Sequence, residues 1–321
     1  MSKKILFINN NHYNHSSATL LEGLIENKEE YDLDIYATTP YNYALIKDEW
    51  DFVVYSKELV DKLIDICDVI IMVNDNFNPT VVPVDVKKIK GVYLDSNDRD
   101  DYLDTPINYK FYLKREMRID REHLENVFPF WFAAENRYFW GGRDFEKIWS
   151  KKKIPLSCMM GKDKMKPWRF EINEILKWNY ETKEGWVLDT VYGGNDDDKL
   201  NTDNRNHSAF FDTLLESKVS VDSYGAGLAN NTGRFFESLA CGCSLFYQPI
   251  TTYLPNTFTD GENIMIYDST ANLIDKINSV IDDDKKIKDL AYAGFNHMLS
   301  YHTTKRRGYE FLEICKGYDL I

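Results

Sequence analysis

Cysteine is scarce in this chain of 321 residues, which has five cysteines and no Cys-x-x-Cys pair, so a disulfide framework is not expected. Cys241 and Cys243 flank a glycine at the end of a predicted helix, and we expect both to pack as small apolar residues. Low-complexity tracts are also missing, while 43% of the residues are apolar. This composition predicts an ordered globular protein that is long enough for two domains.

Long hydrophobic runs are missing as well. No apolar stretch approaches the roughly 20 residues that a membrane-spanning helix needs. The first residues, Met1 to Lys4, lead directly into a predicted strand and do not resemble a signal peptide. We therefore expect a reduced, cytoplasmic protein without a membrane span.

Positive charge is in short supply, because 39 lysines and arginines face 52 acidic residues and the net charge is −13. A general attraction to nucleic acid or anionic lipid is therefore not expected. The exception is the stretch 147–169, where eight basic residues stand against one acid, with Trp149 and Trp168 among them. Both a solvated linker face and a surface that binds an anionic donor or acceptor are consistent with this run.

Strands alternate with helices along the first half of the chain, and short polar loops separate them. This alternation is typical of a largely parallel sheet covered on both faces. The pattern predicts strands at Lys4–Asn9, Leu33–Ala37, Val69–Val73, Gly91–Leu94 and Phe111–Leu113, with helices at Ala18–Asn27 and Lys57–Ile66.

A second alternating set follows an aromatic and lysine-rich stretch at 131–153, where we place the hinge. Its strands are predicted at Ile154–Met160, Trp186–Val191, Val219–Ser223, Ser244–Tyr247 and Ile264–Tyr267. The expected fold class is α/β, with two Rossmann-like, doubly wound parallel-sheet domains at residues 1–150 and 151–302. Open α/β sheets bind ligands beyond the carboxyl ends of their strands. Site residues are therefore expected in the loops 9–17, 74–78, 95–101, 161–168 and 224–233.

The most distinctive segment is 233–247, which reads GRFFESLACGCSLFY. Its apolar residues follow helical spacing as far as Gly242, which stands where a helix C-cap belongs, and a strand-like run follows. Arg234 and Glu237 lie three residues apart in the first turns of this helix, behind the small, polar loop 225–232.

These residue types suit a sugar nucleotide. Backbone N–H groups at a helix start, together with Arg234, can bind a diphosphate. The Glu237 carboxylate, one turn further on, can accept hydrogen bonds from both ribose hydroxyls. Asn231, Thr232 and Gly233 are candidates for backbone contacts to the diphosphate, although Asn231 and Thr232 are also compatible with plain helix caps. For Glu237 and Arg234 the alternative is a solvated place on a surface helix.

This segment also resembles a known family. Gly233–Gly242, followed by FTDGEN at 258–263, Asp268 and AYAGFNHMLSYH at 291–302, is similar to the donor half of GT-B glycosyltransferases. The closest likeness is to the spore-maturation CgeB-like group, whose signature resembles R-x-F-E-x-L-A-C-G followed by a D-G-E-x turn. The likeness extends over roughly residues 215–312 and is weaker upstream.

The resemblance implies two Rossmann-like domains facing a cleft, and a last helix, in residues 303–321, that crosses back onto the first domain. It implies a nucleoside-diphosphate sugar as the donor, with a UDP-sugar expected. It also places the loop after Gly161 against the diphosphate, with Lys162, Lys164 and Arg169 as candidate cations.

The chain departs from the family pattern at one position. Many retaining GT-B enzymes have a second glutamate eight positions before the ribose-binding one, but here that position is Ala229. Contacts to the donor sugar must therefore come from elsewhere.

The first domain offers two candidate catalytic residues. His12, like His15, lies in the loop after the first strand and would orient the acceptor or the sugar, or else be a solvent-exposed turn histidine. No carboxylate or cysteine accompanies these histidines at metal-ligand spacing, so no metal site is expected. Asp95 ends a predicted strand and could act as general base toward an acceptor hydroxyl, or it could cap the turn 96–98.

The sequence therefore predicts a glycosyltransferase that moves a sugar from a nucleoside-diphosphate sugar to a hydroxyl acceptor. Cations and helix N-termini stabilise the leaving diphosphate in such chemistry, so neither a metal nor another cofactor is expected to be required. The acceptor is predicted to be a surface glycan, a protein, a small molecule or a hydroxymethylated base in phage-type DNA.

Two other functions stay open. Gly225-x-Gly227 follows a strand and precedes a helix, as in NAD-dependent dehydrogenases, but Asn230 replaces the third glycine of that pattern. A non-catalytic nucleotide- or carbohydrate-binding protein on the same fold is the other alternative.

Overall fold

The computed structural model describes residues 2–8, 15–38, 57–74, 91–96, 109–115, 117–120, 124–160, 167–180, 182–188, 204–225 and 232–321. Contacts divide the chain into two units. The first comprises Met1–Glu135, Thr252–Leu254 and Thr303–Ile321, and the second comprises Asn136–Thr251 and Pro255–His302. The structure thus divides the chain after Glu135, where the sequence placed the boundary after residue 150. The reason is that residues 136–150 pack on the second unit; the rings of Tyr138 and Trp140, for example, stack on Phe211.

The first unit is built on a six-stranded parallel sheet in the order β2-β1-β3-β4-β5-β6. Its strands are β1 (Lys3–Ile8), β2 (Leu33–Ala37), β3 (Val69–Asn74), β4 (Val92–Asp95), β5 (Phe111–Lys114) and β6 (Val127–Pro129), and its first helices are α1 (His15–Glu26) and α2 (Lys57–Ile66).

Both faces of this sheet are covered, which explains why its strands are apolar without alternation. In β1, Ile5, Leu6 and Phe7 are all completely buried, although their side chains point to opposite faces. Ile5 and Phe7 belong to a core cluster that contains residues of α1, whereas Leu6 packs in a separate cluster with residues of α2.

The second unit contains a four-stranded parallel sheet in the order β10-β9-β8-β7. Its elements are a 3-10 turn (Asn136–Tyr138), α3 (Phe145–Trp149), β7 (Ile154–Ser157), α4 (Pro167–Tyr180), α5 (Asn204–Glu216), β8 (Ser217–Val221), α6 (Gly233–Ala240), β9 (Ser244–Tyr247), β10 (Met265–Ile266), α7 (Thr270–Asn278) and α8 (Asp284–Tyr301). The expected α/β class with two parallel sheets is thereby confirmed.

The strand predicted at 186–191 is wrong over its described part. Residues 186–188 form one isolated parallel bridge, between Val187 and Ser157, and the remainder lies outside the described residues. Gly185 just before it has a positive φ of 81°, and Trp186 stacks on Tyr180 of α4 at 4.4 Å. Residues 186–188 thus follow a turn and make a ring contact, and they pair with β7 only through this one bridge.

The predicted end of α6 is confirmed. Gly242 has a positive φ of 69°, its N–H donates to the Leu239 carbonyl at 2.9 Å, and the Cys243 N–H donates to the Ser238 carbonyl at 3.0 Å. This is the Schellman arrangement, which needs a left-handed residue after the helix. Cys241 and Cys243 are completely buried, as expected, and burial raises the pKa of both thiols.

All five cysteines are free thiols, and the described part of the chain has no helix that is both long and apolar enough to cross a membrane.

The last helix, α9 (Thr304–Gly317), packs on α1 of the first unit at very short range. A Cβ placed on Gly308 would lie 2.2 Å from the backbone of Gly23, and one placed on Gly23 would lie 2.2 Å from the Thr304 carbonyl oxygen. The Thr304 Oγ1 lies within hydrogen-bond distance of two carboxylates of α1, at 3.0 Å from Glu22 Oε1 and 2.6 Å from Glu26 Oε2. Two glycines thus allow two helix backbones to touch.

We expect Gly308→Ala to destabilise the protein by about 1–3 kcal/mol, because the added methyl group would meet backbone atoms that cannot move aside. The matched control is Gly317→Ala in the same helix, where a Cβ meets nothing within 4 Å. Urea denaturation measures both free energies of unfolding. Equal stability of the two variants would contradict the close contact.

Candidate functional site

The carboxyl edge of the second sheet brings together the residues that follow β7 and β8 and the first turn of α6. Arg234, in that first turn, contacts both neighbours. Its Nε lies 3.5 Å from Oδ2 of Asp222, just after β8, and its Nη1 donates to the carbonyl of Met159, after β7, at 3.4 Å. The Arg234 side chain is 20% exposed and that of Asp222 is 4% exposed. The ion pair therefore lies at the border between core and solvent.

Thr232 occupies the N-cap position of α6 but does not cap the helix with its side chain. Its backbone is extended (φ −99°, ψ 171°), and its hydroxyl makes no capping hydrogen bond. The Thr232 Oγ1 instead donates to Asp222 Oδ2 at 3.5 Å. The Thr232 side chain therefore does not bind the first N–H groups of the helix, which have no intrahelical acceptor.

Two buried tyrosines lie close to Asp222. The Tyr267 hydroxyl donates to the Asp222 backbone carbonyl at 2.8 Å. Burial, and then the negative charge of Asp222, raise the pKa of Tyr247 far above its usual value. Both phenols therefore stay neutral at physiological pH, so the charges that matter in this cluster are those of Asp222 and the arginines.

Glu237 lies one turn after Arg234 and is only 5% exposed. Its neighbours Phe236 and Ser238 are buried too, and the Ser238 hydroxyl lies 2.9 Å from that of Ser220 in β8. The alternative of a solvated surface glutamate is therefore wrong. Acidic residues are almost never fully buried without a specific reason, which keeps Glu237 a candidate for ligand binding.

Arg169, on α4, is 5% exposed and is engaged with the backbone after β8. Its Nη2 donates to the Tyr224 carbonyl at 2.9 Å and to the Ser223 carbonyl at 3.4 Å. The ring of Trp168 lies 5.1 Å from that of Tyr224. This arginine, predicted as a cation for the diphosphate, thus also holds the segment that follows β8.

The basic stretch 147–169 does not form a continuous exposed surface over its described residues. The amino group of Lys152 donates to the carbonyls of Leu214 and Cys241, at the ends of α5 and α6, and burial lowers the pKa of this lysine. Lys147 is 80% exposed but pairs with Asp144, and Lys153 pairs with Glu216 at 2.6 Å. Arg169 also points inward. The described part of this stretch therefore does not form an extended anion-binding surface.

Several predicted site residues lie outside the described residues: Gly161, Lys162, Lys164, Asn231 and His12. Of the donor-side predictions, the structure brings together Arg234, Thr232, Gly233 and Glu237 at the start of α6.

In the first unit, Asp95 ends β4 as predicted, and its carboxylate is 1% exposed. Its Oδ2 lies 2.9 Å from the amino group of Lys114, which is completely buried, and accepts a hydrogen bond from the Tyr112 hydroxyl. Both partners are on β5, where Lys114 is the parallel neighbour of Asp95. The carboxylate is therefore held across the sheet edge by a buried ion pair.

A second polar pair lies at the start of α1. The His15 Nδ1 is 3.3 Å from Oε1 of Glu135, whose side chain is only 2% exposed, and the His15 ring meets Phe132 edge-on. His15 was named from sequence together with His12, but nothing in the sequence pointed to Glu135, which lies 120 residues away.

The described residues contain no group of three or more histidines, cysteines, aspartates or glutamates that could hold a metal ion.

Comparisons with known proteins give a family match for part of the chain and fold matches for nearly all of it. Residues 184–313, which include β8, α6 and β9, match a family described as glycosyl transferase-like. No match was found among curated proteins. Among solved structures, an alpha-glucosyltransferase in complex with UDP-glucose and DNA containing an abasic site has a TM-score of 0.62 at 10% identity, over 98% of this chain and 99% of that one.

Two other solved structures match with similar TM-scores, identities and coverage. A glycosyltransferase from Rickettsia africae has a TM-score of 0.57 at 9% identity, over 99% of this chain and 98% of that one. Anabaena HepE in complex with UDP-glucose has a TM-score of 0.54 at 10% identity, over 98% of this chain and 99% of that one. The predicted fold class is therefore confirmed: the chain shares the Rossmann-like, parallel-sheet fold of GT-B glycosyltransferases.

We expect Lys114→Met to lower the free energy of unfolding by about 3–5 kcal/mol, because it leaves the buried Asp95 carboxylate without its cation. The double variant Asp95→Asn/Lys114→Met should recover most of this loss, since it removes both charges. Urea denaturation of the two variants measures the difference.

Lys147→Met is the matched control, since Lys147 and Asp144 form an ion pair in which both side chains are largely exposed. Its effect should stay below about 1 kcal/mol. Equal losses in the single and double variants would show that Lys114 does not stabilise the Asp95 carboxylate.

Proposed function

We propose that this chain is a glycosyltransferase that moves a sugar from a nucleoside-diphosphate sugar to a hydroxyl acceptor, with a UDP-sugar as the expected donor. The observation that carries the proposal is the buried carboxylate of Glu237 one turn after Arg234, at the start of a helix on the carboxyl edge of a parallel sheet. The match of residues 184–313 to a glycosyl transferase-like family supports it. So does the shared fold with structures that contain UDP or UDP-glucose. We also propose that the chain belongs with the CgeB-like group of these enzymes.

The donor would bind along α6. Arg234 and the backbone N–H groups of its first turn suit the diphosphate, and Glu237 suits the two ribose hydroxyls. Asn231, Thr232 and Gly233 are proposed to contribute through their backbone. The loop after Gly161, with Lys162 and Lys164, is proposed to bring further positive charge to the diphosphate, and Arg169 is proposed to act with it.

Catalysis by such a site needs no strong acid at the diphosphate. The leaving group gains negative charge as the sugar bond breaks, and a cation together with a helix N-terminus can stabilise that charge in place. We therefore propose that transfer is metal-independent, so that activity persists when EDTA is added.

In the first unit, Asp95 and His12 are the proposed groups for the acceptor. Asp95 stands at the carboxyl end of β4, where ligands of parallel sheets bind, and Lys114 and Tyr112 fix the direction of its carboxylate. A fixed carboxylate of this kind suits the general base that removes the acceptor proton.

Two acceptor classes have support. The shared fold with an alpha-glucosyltransferase whose structure contains DNA favours a hydroxymethylated base in phage-type DNA. The net charge of −13, and the inward position of Lys152 and Arg169, favour a surface glycan or protein.

The donor is tested by thermal shift with UDP, GDP, ADP, dTDP, CMP and NAD. A ligand at about 100 times its dissociation constant should add about 2.7 kcal/mol of stability, and we expect UDP to do so. Stabilisation by NAD alone would favour the dehydrogenase alternative. Stabilisation by UDP without any sugar transfer would favour the non-catalytic binding protein.

The role of Glu237 is tested with Glu237→Gln and 2′-deoxy-UDP. We expect the substitution to weaken UDP binding about 10- to 100-fold, because it removes a charged acceptor of hydrogen bonds from the ribose hydroxyls. In this variant the preference for UDP over 2′-deoxy-UDP should be smaller than in the wild type, because the neutral amide oxygen of glutamine is a weaker acceptor than a carboxylate. Glu174→Gln, at an exposed position of α4, is the matched control and should bind UDP like the wild type. A variant that prefers UDP over 2′-deoxy-UDP as strongly as the wild type does would refute ribose binding by Glu237.

The acceptor class is tested by transfer from labelled UDP-glucose to duplex DNA containing 5-hydroxymethylcytosine, or to a glycan acceptor, at 50 and 200 mM salt. A protein that acts on duplex DNA through phosphate contacts should bind it far more weakly at the higher salt. DNA binding that is insensitive to salt, or no transfer to DNA, would assign the acceptor to the glycan or protein class.

A further inference from the structure

Asp222 stands out among the charged residues of the second unit. It follows β8 at the carboxyl edge of the sheet and is 3% exposed. Its Oδ2 faces Arg234 Nε and Thr232 Oγ1, each at 3.5 Å. Its Oδ1 has no hydrogen-bond partner among the described residues, although it is buried. A buried carboxylate oxygen without a partner is costly, so this residue is not explained as part of a satisfied polar network.

Arg234 is also in a place that its charge disfavours. It is the second residue of α6, and the partial positive charge of a helix N-terminus repels a cation there. Asp222 offsets this repulsion at 3.5 Å, and the Met159 carbonyl accepts from the same guanidinium at 3.4 Å. The arginine is thus kept, in a defined direction, where an anion would bind.

Stability alone does not account for this pair. A pair of well-packed apolar residues is often as stable as a buried ion pair, because both charges must be taken out of water. The pair also lines a small pocket together with Met159, Ser220 and Ser238. The arrangement is what a site for an anion requires: a cation with its direction set in advance, whose side chain is 20% exposed.

We infer that Asp222 is a positioning residue, which holds the Arg234 guanidinium in the direction in which it meets the diphosphate of the nucleotide donor. The inference rests on the proposed function, in which Arg234 binds this diphosphate. Asp222 touches neither the donor nor the acceptor in this account and acts only through Arg234. Its loss should therefore affect the phosphate part of the ligand and not the nucleoside part.

Asp222→Asn is a mild substitution at this position. The oxygen of the new side-chain amide could still accept from Thr232, and the amide nitrogen would take the place of Oδ1, which has no partner to lose among the described residues. The negative charge opposite Arg234 is what disappears. The matched control is Asp282→Asn, which removes the same charge at an exposed position of the same unit.

The experiment measures the dissociation constants of UDP and uridine by calorimetry for the wild type, Asp222→Asn, Arg234→Gln and the double variant. We expect Asp222→Asn to weaken UDP binding about 10-fold and to leave uridine binding unchanged. In the Arg234→Gln background, Asp222→Asn should have no further effect, because the residue through which it acts is gone. Asp282→Asn should bind both ligands like the wild type.

Other results overturn the inference. Equal weakening of UDP and uridine would show a merely structural role for Asp222, and so would an unchanged effect in the Arg234→Gln background. Unchanged or tighter UDP binding would show that Asp222 does not orient Arg234 for the diphosphate. A wild type that binds none of UDP, GDP, ADP and dTDP would instead refute the proposed function, and the inference with it.

Should Asp222→Asn fail to fold, Arg234→Lys is the second variant. It keeps the positive charge but lacks the Nε that faces Asp222, so the same selective loss of UDP binding is expected. Full UDP affinity in Arg234→Lys would contradict the need for a directed guanidinium.

Discussion

The candidate residues that the structure describes depend for their positions on the parallel pairing of the strands. Parallel pairing places the carboxyl ends of all strands in a sheet at one edge, where the backbone turns away and side chains of sequence-distant segments meet. Asp95 and Lys114 are brought together in this way by β4 and β5, and Asp222 and Met159 by β8 and β7. Because apolar side chains on both faces fix the registers, the polar residues at the edges are fixed as well.

The polar edges contain buried charges that an ordinary core would avoid. Lys114 and Asp95 are both essentially unexposed, and Asp222 has one oxygen without a partner among the described residues. Such groups lower stability unless they are paired, and even a good pair adds little over apolar packing. Their presence at the carboxyl edges of both sheets is consistent with edges that are organised for ligands, with the cores behind them supplying the stability.

Local features of the chain were predictable and distant partners were not. The end of α6 at Gly242 follows from a glycine after an amphipathic run, and the burial of Glu237 follows from its apolar neighbours. Asp222 follows β8 and Arg234 belongs to α6, and an aspartate at a strand end is usually a turn residue. Lys152 and Arg169 look like members of a basic surface, but tertiary contacts turn them to helix-end and loop carbonyls. Nothing in a charge pattern shows which lysines point inward.

The contact between Gly23 and Gly308 has a consequence for the order of events on the ribosome. The second unit uses residues up to His302, but the first unit needs α9, which is synthesised after residue 302. Until α9 has left the exit tunnel, the face of α1 around Gly23 lacks its cover, although α1 was made much earlier. The second unit can therefore finish folding before the first. Until then the first unit exposes apolar surface of the kind that chaperones bind during synthesis.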